Sequence, residues 1–394
     1  MHITSQFDAG AIEIVDASQP DNIRLNIRAD NACEFRQWFY FRVHDVRDTA
    51  LTLKLENAGI CTYAQGWKGY QAVASYDRQN WFRIHTEYDG QKLTLRHTPA
   101  HNDIYIAYFA PYSYERHLDL IARANTHAQV SNLGNSIEGR PIDCITWGTG
   151  KLPVWIIARQ HPGETMTEWL VEGLLQRLFD STDSISRQLA DIATLHIVPN
   201  MNPDGAIHGN LRSNAVGINL NREWMNPSLI HSPEVYHVRH AMHATGVALF
   251  LDIHGDETIP HVFADGCEMI PDYPATSIAL QHAFTQLLAA TTPDFQTEHG
   301  YTPDRFSDEM LTLASKYVGH TFGCVSLTLE MPFKDHDNLP EPLYGWSGTR
   351  SQQLGAALCV PILAHCMEIQ ENAGMLELTP NKSNNHSNSI QGER

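Results

Sequence analysis

The sequence predicts two domains: an N-terminal antiparallel β-sandwich, and an α/β domain whose mixed, mostly parallel sheet is flanked by helices. The 394 residues are more than one ordinary domain needs. Up to about residue 108, short alternating segments are separated by turns, without a helical stretch. Beyond that point, apolar strand-like runs alternate with helical periodicity. We place the domains at 1–112 and 113–377 and expect the polar stretch 378–394 to be a disordered tail.

Composition and charge narrow the classes of partner. Hydrophobic residues make up 42% of the chain and charged residues 18%, which is typical of a globular protein. The net charge of −18 argues against nucleic acid or an anionic membrane as a partner, because both require a basic face. The seven cysteines are scattered without a C-x-x-C pair, and no basic leader or long apolar run is present. We therefore expect a cytoplasmic protein with reduced thiols.

The first domain is predicted from about seven short segments, from IEIVDA near the start to IYIAYFA at residues 104–110. Its aromatic residues, including the run from Trp38 to Phe41, favour a sandwich core over a binding platform. The second domain opens with a helix from Tyr114 to Thr126. Its later elements are predicted as strands over 154–158, 193–199, 247–253 and 324–329 and helices over 165–178, 232–245, 274–290, 308–317 and 348–370.

His161 and Glu164 follow the first of these strands. The uncharged run from Val154 to Ala158 is typical of a strand covered on both faces, and Pro162-Gly163 ends it before a helix. The pair thus lies at a strand-to-helix junction, the edge where open α/β sheets hold their sites. Alone, a His-x-x-Glu pattern is common by chance.

A second strand repeats this design, because the run from Ala248 ends in His254 followed by Gly. A catalytic zinc takes three protein ligands and keeps one position for water, so His161, Glu164 and His254 form a suitable set. Zinc bound this way lowers the pKa of its water and polarises a carbonyl. The alternative is a strand-end histidine held only by a hydrogen bond to Asp252 or Asp256.

Glu330 ends a third apolar strand, and a long polar loop from Asn200 to Pro227 precedes the second. Beside a zinc site, Glu330 would be a general base that passes a proton to the leaving amine; the alternative is a salt bridge to a neighbouring Arg or Lys. The loop contains two arginines and several amides that could hold a carboxylate and an oxyanion, although its Asn-Pro-Asp-Gly is also an ordinary turn.

With these residues in place, the chain resembles the M14 zinc carboxypeptidases, and within them the cytosolic carboxypeptidase subfamily. Five motifs follow the family's order: the lead-in 133–142, His161-Pro-Gly-Glu164, Asn202-Pro-Asp-Gly205, Asn219-Leu-Asn-Arg222 and the late Glu330. They cover residues from about 130 to 370. The preceding β-domain and its exit at Pro111-Tyr-Ser-Tyr114 are similar to the cytosolic subfamily rather than to the secreted digestive enzymes.

The resemblance implies a zinc carboxypeptidase fold and roles for individual residues. It implies one zinc ion on His161, Glu164 and His254 and a general base at Glu330, in agreement with the reasoning above. It adds Arg212 as the group that stabilises the tetrahedral oxyanion. Asn221 and Arg222 would bind the terminal carboxylate of the substrate. Either Tyr301 or Tyr317 could be the tyrosine that caps the substrate.

Members of the cytosolic subfamily remove C-terminal glutamates, so the resemblance makes a peptide or protein C-terminus ending in Glu a candidate substrate. The basic residue of the specificity pocket could be any of four side chains, Arg305, Lys316, His320 or Lys334. Two alternatives remain open: a zinc amidohydrolase acting on N-acyl amino acids, and a non-catalytic binding module.

Overall fold

Alternating apolar residues build the N-terminal domain as two five-stranded sheets, as the strand Leu51–Leu55 illustrates: Leu51, Leu53 and Leu55 are buried and the residues between them are partly exposed. A computed structural model describes residues 1–302 and 305–378. The strands are β1 His2–Thr4, β2 Glu13–Asp16, β3 Ile23–Asn26, β4 Tyr40–His44, β5 Leu51–Leu55, β6 Val73–Ser75, β7 Phe82–Arg83, β8 His85–Tyr88, β9 Leu93–His97 and β10 Asp103–Ala107.

The two sheets have the orders β1-β4-β10-β6-β7 and β2-β3-β5-β9-β8, and both contribute to one hydrophobic core. This confirms the predicted sandwich, with one difference: β3 and β5 pair in parallel. The strand between them in sequence, β4, belongs to the other sheet, so the chain returns to the first sheet in its original direction. The aromatic residues from Trp38 to Phe41 are buried in the core, as expected.

The second domain is a seven-stranded sheet with the order β11-β12-β14-β13-β15-β17-β16. Its strands are β11 Gln129–Asn135, β12 Pro141–Trp147, β13 Leu152–Ala158, β14 Ala193–Val198, β15 Leu249–Asp256, β16 Phe263–Asp265 and β17 Val325–Pro332. Its helices are α1 Tyr114–Ala124, α2 Met166–Leu178, α3 Ser184–Ile192, α4 Pro203–His208, α5 Pro233–Thr245, α6 Ala275–Thr291, α7 Ala314–Phe322 and α8 Gly348–Leu378.

Helices cover both faces of this sheet because its central strands are apolar on both sides. Val154 and Ile156 of β13 pack in the same cluster as α2 and α8, whereas Trp155 and Ile157 pack in a separate cluster with residues of α5 and α7. The four central strands, β14, β13, β15 and β17, run in parallel. The mixed, mostly parallel sheet was therefore predicted correctly.

The parallel strands bring three of the predicted site residues to one edge of the sheet. His161 lies three residues beyond the end of β13, His254 lies near the end of β15, and Glu330 lies near the end of β17. In the ladder between β15 and β17, His254 is the direct partner of Glu330. Their separation is thus set by the backbone spacing of neighbouring strands, about 4.8 Å.

Helix α2, which begins two residues after Glu164, is locked against α8 by two glycines. A Cβ atom on Gly173 would lie 2.0 Å from the backbone oxygen of Gln352, and a Cβ on Gly355 would lie 2.0 Å from that of Leu170. Only a residue without a side chain allows this approach at either position. The crossing holds the start of α2, and with it Glu164, against the body of the domain.

Several elements differ from the sequence prediction. Helix 308–317 is in fact a 3₁₀ segment, Asp308–Thr312, and then α7, because Leu313 between them is extended. Strands β11, β12 and β16 and helices α3 and α4 were not predicted. The expected tail 378–394 lies outside the described residues except for Leu378, and the division at residues 112 and 113 stays a prediction. Within the described residues, no helix combines the length and apolar composition needed to cross a membrane.

Candidate active site

His161, Glu164 and His254 form one buried cluster at the sheet edge. One ligand atom from each lies within 4.8 Å of the other two. The Nδ1 atom of His161 lies 2.6 Å from one oxygen of Glu164, and Nδ1 of His254 lies 2.8 Å from the other oxygen. The three side chains therefore converge on a common point from different elements.

The loop that carries His161 is shaped by Arg159, which directly follows β13. Arg159 has a left-handed backbone conformation, with φ of 57°, that turns the chain sharply at the end of the strand. Its buried guanidinium donates a hydrogen bond of 3.0 Å to the carbonyl of Pro162 and pairs with Glu168 of α2. These contacts join the loop that carries His161 and Glu164 to helix α2.

The outer nitrogens of both histidines have partners of their own. Nε2 of His161 lies 3.0 Å from Oδ1 of Asn219, and Nε2 of His254 lies 2.9 Å from a carboxylate oxygen of Asp252. A partner at Nε2 directs the lone pair of Nδ1 toward the cluster, as a metal ligand requires. The residues thus fit a metal of the zinc type, with two imidazole nitrogens and a carboxylate.

The hydrogen bond to Asp252 was the alternative explanation for His254, and the structure contains it together with the three-residue cluster. Burial and the neighbouring charge of Arg212 lower the pKa of His161 to about 3, so this ring is neutral and can donate a lone pair. Burial disfavours the charged form of His254, but the carboxylates of Asp252 and Glu164 outweigh it and raise its pKa.

Glu330 lies beside this cluster and contacts Tyr301. The Tyr301 hydroxyl lies 3.0 Å from Oε1 of Glu330 and 3.0 Å from a carboxylate oxygen of Asp256. The other oxygen of Glu330 is buried without a hydrogen-bond partner among the described residues. Burial, reinforced by Glu164 and Asp256, raises the pKa of Glu330 well above its usual range. A carboxylate in this state accepts a proton readily.

The two loop arginines are near each other and near the cluster. Among the residues that the structure describes, neither Arg212 nor Arg222 forms a salt bridge, and Arg222 donates a hydrogen bond of 2.7 Å to the carbonyl of Asn221. The positive charge of Arg212 lowers the pKa of Arg222, after burial itself, which shows that the two charges interact. Two guanidinium groups without carboxylate partners form a site for anionic groups.

Asn221 is positioned by the protein rather than free to rotate. Its side-chain oxygen accepts a hydrogen bond of 2.8 Å from the backbone of Ala314, and its nitrogen lies 3.3 Å from Nε2 of His254. All seven predicted site residues therefore lie around one sheet edge. Of the two candidate tyrosines, Tyr301 contacts Glu330, whereas Tyr317 packs against Trp224.

Sequence reasoning missed two residues of the N-terminal domain. Asp30 accepts hydrogen bonds from the backbone of the loop that carries Arg212, and the ring of Tyr63 lies 5.5 Å from the Arg212 guanidinium carbon. No motif marks either residue, because each acts through the packing of one domain on the other. Asn219 belongs to a motif that was recognised, but its contact with His161 was not foreseen.

Comparison with known proteins agrees with this geometry. The model of the cytosolic carboxypeptidase N-terminal domain matches residues 3–109, and that of the zinc carboxypeptidases matches residues 114–347. A metallo-carboxypeptidase structure from Burkholderia cenocepacia is 52% identical, with a TM-score of 0.92, covering 93% of this chain and 99% of that one.

Two further relatives are also described as carboxypeptidases. The metallo-carboxypeptidase of Pseudomonas aeruginosa, solved with (2-guanidinoethylmercapto)succinic acid, is 46% identical over 94% of this chain and all of its own, with a TM-score of 0.91. Mouse cytosolic carboxypeptidase 4 is 27% identical over 67% of this chain, which spans only 28% of that longer protein. The chain therefore belongs to the M14 zinc carboxypeptidase family and is a metallocarboxypeptidase with the N-terminal domain of the cytosolic carboxypeptidases.

Proposed function

We propose that this protein is a zinc-dependent exopeptidase that hydrolyses the C-terminal peptide bond of peptides or proteins, with His161, Glu164 and His254 as metal ligands and Glu330 as general base. The proposal rests on how these charged and metal-binding groups are arranged. A buried His-Glu-His cluster lies next to a carboxylate on the adjoining strand, and two arginines without salt-bridge partners among the described residues lie nearby.

Zinc held at this cluster would supply a water of lowered pKa and polarise the scissile carbonyl. Glu330 takes the proton from the attacking water at its oxygen and passes it to the leaving amine nitrogen. Its raised pKa suits the first step, because a more basic carboxylate accepts a proton more readily. The Tyr301 hydroxyl, 3.0 Å from Glu330, is placed to contact the same substrate groups.

Arg212 and Arg222 divide the substrate's negative charges between them. Arg212 stabilises the oxyanion that forms on the scissile carbonyl, because a fixed cation in a buried site favours developing negative charge. Arg222, with Asn221, binds the terminal carboxylate. This requirement for a free carboxylate makes the enzyme an exopeptidase, since an internal peptide bond offers no such group.

A preference for C-terminal Glu is supported by one basic residue near the site. Lys316 is buried in the first turn of α7, next to Ser315, whose hydroxyl lies 2.7 Å from that of Thr328, two residues before Glu330. However, its ammonium group pairs with Asp265 at 2.8 Å, which offsets part of its charge. We infer that the preference for Glu is modest.

The other three basic residues named in the sequence analysis are less suitable. Arg305 and His320 are exposed to solvent. Lys334 donates to the carbonyl of Thr258, and burial lowers its pKa. Lys316 is therefore the proposed specificity residue.

The experiment compares purified zinc-loaded variants on peptides that differ only at the C-terminus. Glu330→Gln should lose activity by at least about 10³-fold while retaining zinc, because the base is removed and the ligands are not. Glu87→Gln, on the surface of the N-terminal domain, is the matched control and should keep full activity. Retained activity in Glu330→Gln would refute the base assignment. Cleavage of a peptide with an amidated C-terminus would refute exopeptidase recognition.

Specificity is measured as the ratio of kcat/KM for peptides ending in Glu and in Gln, which have nearly the same shape. Lys316→Met should bring the ratio close to one. Asp265→Asn should raise it several-fold, because the ammonium loses its competing carboxylate. No change in either variant would exclude Lys316 as the specificity residue without affecting the proposed reaction.

We also propose a cytoplasmic location. All seven cysteines lie in the described part of the chain, none forms a disulfide, and six are buried. This pattern is typical of proteins in a reducing compartment.

A further inference from the structure

We propose that Asp30 of the N-terminal domain is a positioning residue for Arg212, so that the active site is complete only when both domains are in place. The inference rests on the proposed function, because it takes Arg212 to be the group that stabilises the oxyanion. It adds a role for the N-terminal domain, which otherwise holds none of the proposed ligands or reacting groups.

Asp30 holds the backbone of three consecutive residues. Its buried carboxylate accepts hydrogen bonds of 2.5 Å from the amide of Leu211, 2.8 Å from that of Arg212 and 3.0 Å from that of Ser213, and one of 3.1 Å from the Ser213 hydroxyl. An ionised acceptor makes stronger hydrogen bonds than a neutral one. Four such bonds fix the peptide planes on both sides of Arg212, and hence the direction in which its side chain leaves the backbone.

The same loop is held upstream of Arg212 by two neighbours of Asp30. The guanidinium of Arg28 donates to the carbonyls of His208 and Gly209, at 2.6 and 3.2 Å, and the amide of Asn31 donates to Asn210 at 3.1 Å. Gly209 has a positive φ of 69°, and a Cβ atom there would lie 2.6 Å from a backbone oxygen of the N-terminal domain. The loop is therefore pressed closely against that domain.

The far end of the Arg212 side chain is also held from the N-terminal domain. The Tyr63 ring lies 5.5 Å from the guanidinium carbon, within range of a cation–π interaction. Tyr63 itself is fixed by the buried side chain of Gln37, which makes two hydrogen bonds of 3.1 Å with its backbone. Because Arg212 forms no salt bridge within the described residues, these contacts determine where its charge lies.

The position of this charge matters for catalysis more than for folding. Burial disfavours the charge of Arg212, but Tyr63, Glu164, Glu257 and Glu330 outweigh it and raise its pKa, so the guanidinium lies close to the metal cluster and the base. An oxyanion donor acts only when it meets the charge that develops in the transition state, and a displacement of about 1 Å can lower the rate about 100-fold. Asp30→Asn would replace one acceptor oxygen with an NH₂ group that faces backbone N–H donors, and so would release the loop.

The test uses full-length zinc-loaded Asp30→Asn. We expect kcat to fall by about 10- to 100-fold with KM changed by less than about twofold, because the lost interaction belongs to the transition state. Affinity for a peptide phosphonate, which mimics the tetrahedral oxyanion, should fall by the same factor, with zinc content unchanged. The control is Asp77→Asn, whose carboxylate also accepts backbone amides, from Gln79 and Asn80, but in a surface turn. It should keep normal kinetics.

A double-mutant cycle with Arg212→Gln separates the inference from the proposed function. If Arg212→Gln leaves kcat unchanged, the oxyanion assignment itself is wrong. If Arg212→Gln lowers kcat and Asp30→Asn lowers it further by the same factor in that background, Asp30 does not act through Arg212 and the inference is overturned. The inference predicts that Asp30→Asn has almost no additional effect there.

A second variant applies if Asp30→Asn does not fold. Tyr63→Leu removes the ring that contacts the guanidinium and leaves the backbone contacts of the loop in place. It should lower kcat by about three- to tenfold, and this effect should also vanish in the Arg212→Gln background. Unchanged kcat in Tyr63→Leu would then overturn the role of the N-terminal domain in placing Arg212.

Discussion

Replacing Asp252 with Asn should weaken zinc binding by about 10- to 100-fold, which corresponds to about 1.4 to 2.8 kcal/mol. Asp252 is completely buried, and one of its oxygens lies 2.9 Å from Nε2 of His254. Its negative charge makes the imidazole a stronger ligand and fixes the ring orientation. An amide in its place keeps the shape but loses the charge.

Asp252→Asn should also lower the stability of the protein when no metal is bound. Both oxygens of Asp252 accept from the side-chain nitrogen of Gln160, at 3.0 and 2.8 Å. In the variant, the most favourable orientation keeps the oxygen of the new Asn side chain next to Nε2 of His254. Its NH₂ group then lies about 3 Å from the NH₂ group of Gln160. One buried donor then has no acceptor, which should lower the stability of the metal-free protein by about 1 to 3 kcal/mol.

Zinc affinity can be measured by competition with a chromophoric chelator, and metal-free stability by urea unfolding after dialysis against a chelator. Asp143→Asn is the control, because Asp143 also contacts a buried histidine, His117, and neither residue forms a hydrogen bond or ion pair with the cluster within the described part of the chain. That variant should bind zinc normally. An unchanged zinc affinity in Asp252→Asn would refute the argument that the charge behind His254 tunes the site.

Two further predictions concern the scaffold. Gly173→Ala should destabilise the protein by about 2 kcal/mol in urea unfolding. The helix gains about 1 kcal/mol in intrinsic propensity. However, the new Cβ atom would lie 2.0 Å from the backbone of Gln352, and this overpacking costs more than the propensity gains. Gln176→Ala, on the exposed face of the same helix, should change stability by less than about 0.5 kcal/mol; equal effects would contradict the packing argument. His117 gives a pH dependence: burial opposes its charge, but two buried carboxylates raise its pKa from 6.5 to about 9. Charged His117 therefore adds at most about 3 kcal/mol to the free energy of unfolding, fully below pH 6.5 and progressively less as the pH rises through about 9. His117→Gln should flatten this part of the curve of stability against pH. An identical slope in the variant would refute it.

The metal cluster could be predicted from the sequence because it follows from local pattern and sheet geometry. Each apolar run is long enough to mark a strand, and parallel strands end at the same edge, so residues that follow those runs must meet. His161, Glu164, His254 and Glu330 were proposed in this way, and the structure brings the first three together. Tyr301 was not distinguished from Tyr317, because no strand or helix period leads to it.

The missed elements have weak local signals. Strand β11 lies at the edge of the sheet, contains turn-forming residues at Gly134 and Asn135, and has an irregular register between Asn132 and Asn135. Helix α3 has only nine residues. The contribution of the N-terminal domain was hidden for a different reason. Asp30 and Arg212 are 182 positions apart, and only the folded chain brings them into contact.

His254 and Glu330 are direct partners across β15 and β17, so the hydrogen-bonded ladder between these strands sets the backbone distance between them. The backbone distance between the proposed metal ligand and the proposed base equals the spacing between neighbouring strands, and substitution of a neighbouring side chain does not change it. An insertion of one residue in either strand would instead turn the side chain that follows it to the opposite face of the sheet. Substitutions around the site therefore leave the backbone spacing unchanged, whereas a single added or deleted residue in either strand would move His254 or Glu330 away from the cluster.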